Sequence, residues 1–134
     1  MYSNKEIFIS LFLTNKVDKM FTWKETKMAK FYAMGNYTAQ GFQGFIKDPN
    51  TDRSKAAKAA GDAVGAKMIS YDALRGSFDF IVVFEGSFEQ IAGIKLATEA
   101  SGALRNINIC EAIKMSGPAT NAAKVASSYK APGK

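Results

Sequence analysis

The sequence predicts an α+β domain: a four-stranded antiparallel sheet with helices on one side, in the order β-α-β-β-α-β. Three observations predict it. Strand-like apolar runs stand at 30–37, 67–74, 78–85 and 104–115. Two alanine- and apolar-patterned stretches between them carry helix-start and helix-stop residues. Arg75-Gly76-Ser77 supplies a turn between the second and third strands. The 134-residue chain, with ten Phe, suits one domain around one core.

The first strand is expected over Lys30–Tyr37. Thr38-Ala39-Gln40-Gly41-Phe42-Gln43-Gly44-Phe45 follows as a glycine-punctuated segment whose two Phe must pack somewhere. Asp48-Pro49-Asn50-Thr51 offers short polar side chains to cap a helix. That helix runs through Ala56, Ala57, Ala59, Ala60, Ala63 and Val64 to a Gly65 cap. Its packing face is mostly alanine, so it is expected to lie very close to its cover. Ser87 and Gln90 have capping-box spacing for the second helix, which ends at Gly102.

Charge divides unevenly along the chain. The formal net charge is +6, of which +2 lies in residues 1–27, +1 in 28–115 and +3 in 116–134. The central part is nearly neutral, so nucleic acid is not an expected partner; such binding needs a clustered basic patch. Ile7–Leu13 is apolar but far below the ~18–20 residues that cross a bilayer, and Glu6 makes a poor signal-peptide leader. No membrane association is expected, and the location expected is cytoplasmic. Residues 1–27 form an extension of doubtful status that holds Trp23, with the domain starting at Met28 and ending at Met115. Residues 116–134 lack large apolar side chains, and the expectation is a flexible tail, disordered or a loosely held helix.

Several chemistries are excluded. With no histidine, Ser-His-Asp and Cys-His catalysis and His-ligated zinc drop out. The single cysteine, Cys110, removes internal disulfides and multi-cysteine metal sites; flanked by Ile109, it reads as a small buried hydrophobe. No cofactor and no metal is expected. Gly41 and Gly44 lack the Lys-Ser/Thr of a phosphate loop.

The third strand carries a further signal. Phe78, Phe80, Val82 and Phe84 share one face, while Ile81 and Val83 share the other. Two helices cover one face of a sheet, so a second apolar face calls for a ligand, another sheet or a second copy. Homodimerisation through the sheet face is the expectation, with higher oligomers open. In the fourth strand Ile107, Ile109, Ile113 and Met115 share one face, and Asn106, Asn108, Cys110, Ala112 and Lys114 the other.

Gly76-Ser77-Phe78-Asp79, opening the third strand in this element order, resembles the GYD-domain family of the dimeric α/β barrel, ferredoxin-like superfamily. Thr38-Ala39-Gln40-Gly41, Pro49, Arg53 and Gly65 agree further, and the likeness covers about 28–115. The resemblance implies a ferredoxin-like fold assembled as a dimeric barrel. The family's usual tyrosine is Phe78 here, so the aromatic serves packing. Gly76 suits a positive-φ turn position. Asp79 is intrinsically disfavoured on a strand; it either accepts hydrogen bonds from turn backbone or faces a cavity as a ligand contact or base.

The RNA-recognition motif shares the element order, and Arg75-Gly76-Ser77-Phe78-Asp79-Phe80-Ile81 and Met34-Gly35-Asn36 resemble its two signatures. Ser77 is an extra residue before the aromatic, and Ala33 stands where a stacking ring belongs. Two function classes therefore lead. The first is a homodimeric small-molecule-binding or oligomerisation module that takes a small apolar ligand. The second is a cofactor-free isomerase or monooxygenase acting on a small apolar or aromatic substrate. Tyr71, Arg75, Asp79 and Asn108 are the candidate cavity residues for either, and Gly76, Phe78 and Asp79 the structural motif. No convergent catalytic set is present, which favours the first class.

Overall fold

The computed structural model describes residues 29–133. The expectations placed on residues 1–28, including the apolar run, Trp23 and a start at Met28, lie outside the described residues. The elements are β1 (Ala29–Tyr37), α1 (Ala39–Lys47), α2 (Arg53–Val64), β2 (Lys67–Ala73), β3 (Phe80–Gly86), α3 (Phe88–Ala100), β4 (Leu104–Glu111) and α4 (Ser116–Ser128). The strands form one sheet in the order β2-β3-β1-β4, and every pair is antiparallel. This is the ferredoxin-like α+β fold.

Strand alternation decides what is buried. Phe31, Ala33, Phe80, Val82, Phe84 and Ile107 point to the helix side and form the core with Ile91 of α3. On the opposite face Tyr32 pairs with Val83 and Met34 with Ile81. Cys110 and Asn108 lie beside Tyr32 and Met34 from β4, and Ser70 and Asp72 flank Val83 and Ile81 from β2. Tyr32, Met34 and Ile81 are half-buried there, and Val83 is 7% exposed.

Local chemistry sets the helix ends. Asp52 caps α2 through its side chain, and Gly65 closes that helix at φ 83°, in the left-handed region. Ser87 and Gln90 make a reciprocal capping box on α3.

The structure departs from the expectations in five places. The glycine-punctuated segment after β1 is a helix, α1, with the Thr38 side chain capping the Gly41 N–H. Its two glycines are there for space: a Cβ on Gly41 would stand 2.6 Å from Ala103 O, and one on Gly44 2.6 Å from Arg53 Nη2. Consequently α2 starts at Arg53, not at the Asp48–Thr51 cluster.

β3 begins at Phe80, because Ser77–Asp79 is spent on the turn, and Phe78 precedes the strand. β4 ends at Glu111, leaving Ile113 (60% exposed) and Met115 (69%) beyond it. Residues Ser116–Ser128 form α4, the helix being one of the two forms expected of this segment, and it is exposed along its whole length. Pro118 is accommodated in its first turn, where backbone N–H groups have no helical partner. Finally, Cys110 is exposed, because its position in the alternation puts it on the sheet face away from the helices.

Candidate functional site

A cavity of about 250 Å³ lies between the sheet and helices α2 and α3. Its floor is Ala33, Phe80, Val82, Phe84 and Ile107 of the sheet; Ala56, Ala57 and Ala60 of α2 and Ile94 of α3 form its walls. The alanine face of α2 produces it. That face comes close to the sheet side at Gly61, where a Cβ would meet Phe84 Cε1 at 2.8 Å and Ala66 O at 2.9 Å. Ala56, Ala57 and Ala60, on the stretch before it, line the cavity, so their small side chains leave space there instead of filling it.

Three polar side chains, Tyr37, Tyr71 and Arg53, meet at one end. Tyr37 closes β1 and Tyr71 comes from β2, and their hydroxyls are hydrogen-bonded to each other. Tyr71 stacks parallel to Phe80 with ring centroids 6.0 Å apart, and Tyr37 packs against Phe80 and Phe45 at 5.4 and 5.1 Å. Burial pushes the Tyr71 hydroxyl well above its ordinary value of 10.0, and the bond to Tyr37 raises it further. Tyr71 is therefore a neutral phenol at physiological pH, fit to donate or accept a hydrogen bond but not to act as a base.

Arg53, the first residue of α2, lines the same end. Its guanidinium lies 4.4 Å from the Phe45 ring centroid and 5.4 Å from that of Tyr37. Nη2 donates to Gly41 O at 2.8 Å. On the α3 side, Lys95 also lines the cavity, but its Nζ pairs with Glu99 Oε2 at 3.0 Å. Glu99 Oε2 accepts from Ile107 N at 2.8 Å as well. These two bonds, the backbone one first, hold the Glu99 carboxyl below its ordinary value of 4.5.

The sequence-derived candidates separate. Tyr71 lines the cavity; Arg75, Asp79 and Asn108 do not. Asp79 Oδ2 accepts from Tyr37 N at 3.0 Å and from Asn36 Nδ2 at 3.2 Å. Asn36 Nδ2 also donates to Ser77 O, and Asn106 Nδ2 donates to Asn36 Oδ1. Gly76 has φ 150°, and no atom stands within 4 Å of where its Cβ would be. Phe78 is half-buried, Arg75 is exposed in the turn, and Asn108 is exposed with its amide on Asn106 O. Sequence reasoning missed Tyr37, Lys95 and the site role of Arg53. A signal existed for the tyrosines: both fall on core-facing strand positions, and a buried phenol requires a partner for its hydroxyl.

Among the described residues no group of three or more His, Cys, Asp or Glu is arranged to hold a metal ion. No helix among them is long and apolar enough to cross a membrane.

The four-stranded sheet with an apolar cavity under its helices makes this a ferredoxin-like α+β domain. The chain belongs to the GYD-domain family, whose model matches residues 31–118. No curated protein and no solved structure was found to match the chain.

Proposed function

We propose that this protein is a small-molecule-binding module that takes a small, largely apolar ligand in the cavity between the sheet and α2 and α3. The observation that carries this reading is the cavity's volume of about 250 Å³ with its largely apolar floor and walls and the Tyr37, Tyr71 and Arg53 side chains meeting at one end. A cavity of roughly 150 Å³ holds benzene and drug-sized pockets begin near roughly 300 Å³, so the ligand has the size of one substituted ring or a short chain. No carboxylate, histidine or thiol lines the cavity, and the Tyr71 phenol stays protonated, which favours binding over the isomerase or monooxygenase alternative.

The reading keeps a cytoplasmic homodimer joined through the open sheet face, supported by the Tyr32, Met34, Ile81 and Val83 patch. Tyr32 is the one aromatic on that face of the two central strands, too few for a base-stacking platform.

The test is a titration of benzene, indole and 1-hexanol followed by amide NMR. Saturable shifts at Ala57, Val82 and Ile107 that vanish in Ala60→Leu are expected; saturation by none of the three would sink the reading. Light scattering tests the dimer, and a monomer at micromolar concentration removes it.

A further inference from the structure

We infer that the ligand carries one negatively charged oxygen group, a carboxylate on a small apolar body, and that Arg53 anchors it beside the Tyr37–Tyr71 pair. This inference rests on the cavity reading above and specifies its ligand. Two cations line the cavity, and they differ in what they already hold. Lys95 is paired with Glu99. Arg53 has no carboxylate within ion-pair distance among the described residues, and the acceptor it holds is a neutral carbonyl, Gly41 O.

The guanidinium is also held in place rather than left to wander. Gly41 supplies the carbonyl, Phe45 and Tyr37 supply ring faces, and Gly44 supplies room, since a Cβ there would lie 2.6 Å from Nη2. A planar cation fixed by one edge and one face keeps N–H groups on its remaining edge for an oxyanion.

The tyrosine pair adds to the same chemistry. In a hydrogen bond between two hydroxyls one O–H is the donor, so the other O–H remains to be given away. A cation and a phenolic donor at one end of a largely apolar cavity match an amphiphile with an anionic head and a ring or short chain behind it. A neutral hydrocarbon of the same size would leave both donors unmatched.

The experiment compares phenylacetate with its neutral isostere 2-phenylacetamide, and with benzene, by NMR titration of the full chain. Phenylacetate is expected to bind at least about tenfold tighter than the amide, as a charge-assisted hydrogen bond in a partly buried site confers. That difference is expected to close in Arg53→Met. Gly44→Ala is the second variant, because it displaces the guanidinium without removing it, and it should narrow the difference in a chain whose amide spectrum remains folded. Equal binding of acid and amide, or a preference that survives both variants, overturns the carboxylate inference and leaves the cavity reading standing. Binding of benzene with neither polar probe does the same. Binding of none of the three overturns both.

Discussion

Asp79 Oδ2 accepts a hydrogen bond from the backbone N–H of Tyr37 at 3.0 Å. The β1–β3 ladder ends at the pair Gly35 and Phe80, so beyond it the β1 backbone has no strand partner on that side. Asp79 supplies one: its own N–H donates to Gly35 O at 2.8 Å, and its carboxylate takes the next free N–H. The family motif therefore fixes the end of β1 from which the Tyr37 ring enters the cavity. Asp79→Ala is expected to lower stability by about 1–3 kcal/mol, the cost of leaving such a donor without its partner. Asp79→Asn keeps one acceptor oxygen and should cost less. Urea denaturation of the two variants checks the order, and equal stability of Asp79→Ala and the native chain would contradict this role.

Gly41 and Gly44 separate fold from site. A methyl group on Gly41 meets the Ala103 carbonyl, a backbone atom of the turn between α3 and β4 that cannot step aside. One on Gly44 meets the tip of the Arg53 side chain, which can. Gly41→Ala is therefore expected to destabilise by roughly 1–3 kcal/mol through overpacking. Gly44→Ala should be neutral, or stabilising by up to about 1 kcal/mol from helix propensity. Thermal melts of both variants decide between this and an equal loss at the two positions.

How much of this was legible follows from which interactions are local. The β3 alternation, the Gly65 cap and the Ser87–Gln90 box are local patterns, and each appears in the structure. α1 was not legible, because glycines at 41 and 44 lower helix propensity and the reason for them is a contact with Ala103 and Arg53 elsewhere in the fold. The sequence singles out Tyr71 for a cavity between facing sheets, whereas the cavity it lines is on the helix side of the sheet. The other half of the pair, Tyr37, meets it across 34 positions of sequence, and no periodicity reports such a pairing. The cavity was also hidden, since an alanine face reads equally as close packing or as space.

Tyr71 makes the fold sensitive to alkali. Its hydroxyl is raised in the folded chain above the ordinary value of 10.0, so the protonated form is the one the fold favours. That stabilisation is fully present below pH 10 and is lost as pH rises through the folded value. Tyr71→Phe is expected to flatten the pH dependence above pH 10 while costing about 1 kcal/mol at neutral pH, where Tyr37 loses its hydroxyl partner. Tyrosinate absorbance followed with stability across the alkaline range provides the measurement, and an unchanged slope in Tyr71→Phe would count against it.

Glu99 imposes the opposite dependence at low pH. From α3 it reaches the edge strand β4 and accepts the Ile107 N–H at 2.8 Å. That N–H lies next to Asn106, whose φ of 58° marks the bulge where the β1–β4 register shifts. The carboxylate thus serves a backbone donor that the interrupted ladder leaves over, and Lys95 holds it from the same helix. Because its folded value is depressed below 4.5, the ionised form is the one the fold favours. The stabilisation is present above the unfolded value of about 4.5 and is lost as pH falls through the folded one. Glu99→Gln keeps an acceptor for Ile107 but carries no proton equilibrium, so its stability should be flatter than that of the native chain below pH 4.5. Parallel acid titrations monitored by circular dichroism test this, and coincident curves would show that Glu99 contributes nothing to the acid transition.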